Sequence, residues 1–164
     1  MFLDALLEFD AYTGVAITVT RDSTNILDMA AQRDMGAGDN SLSILCQITE
    51  AFVTADAAVL TVDVRGAKYN AGSPGTFYVL GQSPTALAAA SLTIGRELLK
   101  MDLPLWSEAV SGDELNVPRY YKLVYTVTVG SFSAGKVASY LVPKFGRDTA
   151  RSYPQNAGIS NTYS

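Results

Sequence analysis

The sequence predicts an all-β protein, a jelly-roll-like antiparallel β-sandwich, and three observations carry that expectation. Apolar residues alternate with period two in SLSILCQIT (41–49), AAVLTVDVRG (57–66) and RYYKLVYTVTVG (119–130). Clusters of Gly, Asn, Asp and Ser punctuate these runs. Nine Tyr and thirteen Gly in 164 residues, with abundant Val and Thr, favour strands joined by turns. A chain of this length buries roughly 70% of its unfolded surface, enough for one domain without a disulfide or a structural metal. Local signals of this kind are shared by jelly-roll and Ig-like sandwiches, so strand order stays open.

In chain order, GVAITVT (14–20) predicts a half-buried strand with Val15, Ile17 and Val19 on one face. TNILDM, after an Arg-Asp-Ser turn, predicts a short strand. In RDMGAGDN (33–40), Asp34, Asp39 and Asn40 are hard oxygen donors of the kind that bind calcium, yet their spacing departs from the EF-hand pattern. The better reading is a turn feeding a strand near Ser41, with Gly36 and Gly38 in positive-φ conformations. In the next strand Leu42, Ile44, Cys46 and Ile48 share one face, which makes Cys46 a buried thiol with no base to activate it.

AAVLTVDVRG places Leu60, Val62 and Val64 inward and Thr61, Asp63 and Arg65 outward. KYNAGSPG (68–75) is a glycine-rich connection to the strand TFYVL (76–80). Ser83-Pro84 could cap a helix through TALAAAS. SLTIGRELLKMDLPLW carries both helix and strand signals around Gly95 and is read as a strand, and SGDEL (111–115) reads as a solvated loop. In RYYKLVYTVTVG, Tyr121, Leu123, Tyr125, Val127 and Val129 line one face; GSFSAG makes a turn, and KVASYLV (136–142) returns as the antiparallel partner. Residues 1–142 thus form the sandwich with a short N-terminal arm, and 143–164, polar and without periodicity, predict a flexible C-terminal tail.

The residue inventory narrows the chemistry. The absence of His removes Ser-His-Asp and Cys-His machinery and the commonest zinc ligand. Gly135-Lys136 is followed by Val, so no phosphate loop is completed. Glu97, Glu108 and Glu114 could supply a carboxylate pair for glycoside hydrolysis, but nothing in their spacing singles them out. No enzyme, metal or cofactor is expected. Twelve basic against sixteen acidic residues, with no basic run, argue against a nucleic-acid partner. MFLDALLEFDAY carries acids and no basic flank, unlike a secretory leader, and no apolar run approaches the ~20 residues that span a bilayer, so no membrane partner is expected. A single cysteine makes no internal disulfide and suits a reducing compartment.

STNILDM, then RDMGAGDNSLSILCQITEAF, then YYKLVYTVTVGSFSAGKVASYLV resemble the capsid cement (decoration) proteins of tailed bacteriophages, in the family typified by the cement protein of a Bordetella phage. The family's Ser-Thr-Asn stretch corresponds to Ser23–Asp28, its glycine turn to Arg33–Asp39, and its closing hairpin to Tyr125–Val127 and Ser133–Val137. MFLDALLEF is similar to the family's usual opening. The resemblance runs over most of residues 1–142, loosely in the middle, and the tail from Pro143 is longer than the family's.

The resemblance implies a jelly-roll fold, a homodimer on the outer surface of the icosahedral shell, contact with the major capsid protein, and no catalysis. The implied location is the virion, after synthesis in the host bacterial cytoplasm. Candidate contacts are Phe2, Leu3, Leu6 and Leu7 at one end and Phe145, Tyr153 and Ile159 at the other. For Phe2 to Leu7, packing on their own domain is an equal alternative. A second function class also stays open: a phage tail, baseplate or host-glycan-binding module using Tyr12, Tyr69, Tyr78 and Trp106 as an aromatic platform.

Overall fold

The computed structural model describes residues 7–29, 42–83, 85–102 and 118–143. They form an antiparallel all-β sandwich. Its strands are β1 (Glu8–Asp10), β2 (Arg21–Asp22), β3 (Leu27–Asp28), β4 (Leu42–Val53), β5 (Val59–Ala67), β6 (Tyr69–Asn70), β7 (Ser73–Pro74), β8 (Tyr78–Gln82), β9 (Leu87–Ala88), β10 (Glu97–Asp102), β11 (Tyr120–Thr128) and β12 (Ala134–Pro143). The first sheet runs β1-β12-β4-β10 and the second β2-β11-β5-β8, with β3 also on β11 and β9 also on β5. Strands β6 and β7 form a small separate hairpin.

Alternation sets the core. Ile44, Cys46, Ile48 and Leu141 of the first sheet face Leu60, Val62, Val64, Tyr121, Leu123 and Tyr125 of the second, all buried. Burying each such aliphatic side chain contributes about 1.5–3 kcal/mol before entropy is counted.

Both edges of the second sheet are broken strands. Strands β2 and β3 pair with successive parts of β11, and β8 and β9 with successive parts of β5. A buried serine bridges each break with the same device. Ser23 donates its N–H to Leu123 O and accepts Leu123 N–H on its hydroxyl; Ser83 does the same with Val62. The hydroxyl takes the place of a ladder carbonyl, so no buried N–H is orphaned where the chain turns away. Counting each broken edge once and setting the β6–β7 hairpin aside leaves eight strands in the two sheets among the described residues, in the orders 1-8-3-6 and 2-7-4-5.

Three expectations need correction. The alternation in 14–20 does not make a strand: only Ile17 is buried, while Val15 and Val19 stand in solvent. This segment crosses between sheets, with Ile17 N bonded to Gly135 O in the first and Thr20 Oγ1 bonded to Val127 in the second, so no continuous ladder forms. Strands β11 and β12 are not hairpin partners. Strand β11 pairs with β5, and β12 with β4 and β1, because the connection between them passes from one sheet to the other. Phe132 in that connection enters the core and meets Phe52 edge-to-face at 4.9 Å, a contact worth about 0.5–1.5 kcal/mol beyond its burial. Finally, residues 87–91 form β9 and a single 3₁₀ turn, Ala89–Ser91, rather than a helix.

The crossing is tight at Gly135, which has φ +142 and lies against the Phe52 ring, where a Cβ would overlap it. Gly135→Ala is expected to lower stability by about 2–4 kcal/mol through overpacking and backbone strain. Urea unfolding checks this, and an unchanged midpoint would contradict it.

Candidate functional site

The densest polar cluster lies between the sheets. Asp10 ends β1, where a register shift in the β1–β12 pairing helps turn its side chain inward, and it is completely buried. Its Oδ1 accepts from Thr24 N (3.0 Å), Thr24 Oγ1 (2.8 Å) and Arg21 Nη2 (2.9 Å). Its Oδ2 accepts from Tyr125 OH (2.6 Å) and Ser139 Oγ (3.2 Å), which lie 3.0 Å from each other. Asp10 and Ser139 belong to the first sheet, Arg21 and Tyr125 to the second, so this carboxylate cross-links the layers. The Arg21 guanidinium also sits 5.4 Å from the Tyr125 ring centre, a cation–π geometry.

The Ser-Thr-Asn stretch builds half of this cluster. Besides the two bonds from Thr24 to Asp10, Asn25 donates its N–H to Phe9 O at 2.9 Å and its Nδ2 to Glu8 O at 3.0 Å. Ser23 holds the same segment to β11. Residues 23–25 therefore clamp the free edge of β1 onto the second sheet. The match in Ser133–Val137 has a comparable role: Ser133 N bonds Val53 O at 2.8 Å, and Lys136 pairs with Glu50 at 2.9 Å.

Beside the cluster lies Cys46, its thiol pushed up to about 12 by burial and by the Asp10 charge, against a lowering hydrogen bond from Tyr125. It stays protonated at neutral pH. Burial, with the Cys46 and Asp10 charges, likewise holds Tyr125 well above the ordinary phenol range, and burial raises Tyr121 to about 12. The cluster buries the Asp10 carboxylate completely and leaves the Arg21 side chain 20% exposed.

On the second sheet's outer face the charges pair off. Arg119 grips Asp28 with two bonds, of 2.6 and 2.7 Å, and stacks over Tyr69 and Tyr120 at 4.8 and 5.1 Å. The bond to Asp28 raises the Arg119 pKa further. Lys122 pairs with Asp22 at 2.6 Å and covers the Phe77 ring at 4.5 Å. Tyr69 in the β6–β7 hairpin, Tyr78 on β8 and Tyr12 in the connection after β1 are all exposed. An open groove of about 290 Å³ lies along β10, lined by Gln82, Leu98, Lys100 and Met101 among others, and Glu97 is its single acid among the described residues.

Among the candidate contacts, Leu7 is half-buried against the core. Phe2, Leu3, Leu6, Phe145, Tyr153 and Ile159 lie outside the described residues. So do Gly36, Gly38, Asp34, Asp39, Asn40, Trp106, Glu108 and Glu114. Sequence reasoning passed over Asp10 altogether. The signal that pointed to it was the Ser23-Thr24-Asn25 stretch, whose short polar side chains suit local backbone clamps.

A family model, Bbp16, matches residues 12–141, about four-fifths of the chain. The chain belongs to the Bbp16 family. The Bbp16 span takes in the Ser-Thr-Asn clamp, Tyr125 and Ser139, and it is consistent with the Bordetella-phage family that the motifs resemble. No curated protein matches the chain.

Two outcomes follow from the buried cluster. Asp10→Ala is expected to lower stability by about 2–4 kcal/mol, because it leaves the buried Tyr125 and Ser139 hydroxyls without their acceptor and removes the partner of half-buried Arg21. Tyr125→Phe should lower it by about 1–2 kcal/mol, and the double variant by less than the sum. A double-mutant cycle in urea measures this, and strict additivity would separate the two residues.

The second outcome is alkaline lability. Cys46 and Tyr121 hold their protons more tightly folded than unfolded, so above about pH 9 the unfolded chain ionises first. Stability is fully present below that pH and falls as pH rises toward 12. Unfolding titrations should show the loss starting later in Cys46→Ala; an identical onset would remove Cys46 from the account.

Proposed function

We propose that this chain is a structural virion protein, a capsid cement or decoration protein that binds the outside of an icosahedral shell and clips neighbouring major capsid subunits together. The observation that carries this reading is the Bbp16 match over residues 12–141, taken with the ordered motifs that resemble phage cement proteins. The strand orders 1-8-3-6 and 2-7-4-5 support a jelly-roll reading of the sandwich, since strands 1–8, 2–7, 3–6 and 4–5 pair as one long ribbon rolled upon itself. The protein acts without catalysis, through rigidity and contact. As a homodimer spanning two capsomers it gains roughly 10²- to 10⁴-fold in avidity over a single contact. It needs neither cofactor, nucleic acid nor membrane; no helix among the described residues is long and apolar enough to cross a bilayer.

Particle composition tests this directly. Particles containing the chain are purified on a density gradient, and it is quantified against the most abundant shell protein. A ratio near unity is expected. A handful of copies per particle would move the protein to the tail or a vertex, and its absence would overturn the reading.

A further inference from the structure

Several connections meet at one end of the sandwich. Segments 11–20, 54–58 and 129–133 pass between the sheets, and 89–96 runs beside the end of β4. They are laced together by Phe132 N to Thr18 O (3.0 Å), Thr54 Oγ1 to Ser131 O (2.8 Å), Ser133 N to Val53 O (2.8 Å) and Phe52 N to Leu92 O (3.1 Å). From this laced base valines stand into solvent: Val19 is 59%, Val53 53% and Val129 75% exposed. In segments 11–20, 54–58 and 129–133, Asp56 is the only charged residue. Elsewhere ion pairs engage Asp10, Asp22, Asp28, Glu50 and Asp63.

Val129 is the telling residue. Its φ is +71, a left-handed conformation that a β-branched side chain adopts only when its surroundings impose it. Gly130 is pressed so closely on Asp56 that a Cβ there would collide with it, which fixes the turn. Glycine or asparagine would suit the Val129 backbone better, and the valine side chain packs on little of its own domain. A residue that serves neither its backbone nor its core is accounted for by what it meets outside.

We propose that this loop end, centred on Val129 with Val19 and Val53 at the same end of the sandwich, is the surface that seats on a shell subunit; the inference rests on the shell-binding reading above. The chemistry selects an uncharged, apolar protein surface as occupant. Covering the three inter-sheet segments strands one charge, Asp56, with Arg96 the one further charge in the flanking 89–96 stretch, as suits the centre of a protein interface. Its one cation, Arg96, is engaged by Ser91 O at 2.7 Å, and its one exposed ring is Tyr12, which is less than a phosphate or sugar site asks for.

The test uses shells purified from particles assembled without this chain, titrated with the full-length protein and read by co-sedimentation. Val129→Asp tolerates the positive φ but puts a charge in the contact, and Val129→Gly relieves the strain while deleting the side chain. The expected result is a higher thermal midpoint for Val129→Gly with about tenfold or more weaker shell binding, and a larger loss for Val129→Asp. Wild-type binding by a folded Val129→Asp protein, with wild type itself bound, overturns this inference alone. Failure of the wild type to bind overturns the reading on which it rests. Dissociation of a dimer by Val129→Asp with shell binding intact would make the surface a copy-to-copy contact and likewise overturn the inference.

Discussion

Asp10 stands at the end of β1 with its carboxylate closed off from water, and five hydrogen-bond donors from both sheets and the corner between them converge on it. An ionised carboxylate moved into a protein interior without partners loses several kcal/mol of hydration, so this arrangement is tolerable only when all the donors arrive together. That makes it a constraint on assembly. The first sheet supplies Asp10 and Ser139, the second supplies Tyr125 and Arg21, and the 23–25 corner supplies Thr24. Sliding one sheet over the other by a residue would leave a buried charge unpaired, so the cluster fixes the register of the layers where hydrophobic packing alone is forgiving.

The corner segments inherit their positions from that constraint. Arg21 and Thr24 tie the chain on the far side of 11–20 to Asp10, while Ile17 bonds Gly135 and Thr18 bonds Phe132. The 129–133 connection is thereby held between 11–20 and 54–58, and Val129 keeps a backbone conformation it would not adopt alone. A surface prepared in this way orders little upon binding, which preserves affinity that a mobile loop would lose to entropy.

The strands themselves were legible because period two survives wherever one face is buried. The core residues Ile44, Cys46 and Ile48, Leu60, Val62 and Val64, and Tyr121, Leu123 and Tyr125 keep the spacing of two, although Asp63 and Val124 between them are buried as well. Pairing was not legible. Adjacent strands with a Gly-Ser turn between them read as a hairpin, and local pattern carries no term for crossing a sandwich. Phe132, a lone aromatic within GSFSAG, is buried where a solvent turn would leave it exposed, and it marks the crossing in the structure. The false strand at 14–20 arose the opposite way: Val15 and Val19 keep the alternation of a strand while serving an exposed corner. Asp10 was invisible because its partners lie 11 to 129 residues away, and beside Asp4 and Glu8 it looked like one more surface acid.

These features divide the molecule by task. The motif residues Ser23, Thr24, Asn25 and Tyr125 turn inward or clamp backbone, so what the family resemblance detects in them is the frame. Recognition, on the cement reading, falls to what the frame leaves outside. A protein that grips a static lattice has no reaction to complete and no lid to close; it needs a body that does not deform under load and a surface held ready at its end. A buried carboxylate that specifies register supplies the first. A strained valine held by its neighbours supplies the second, because strain persists only where the scaffold behind it is stronger than the strain.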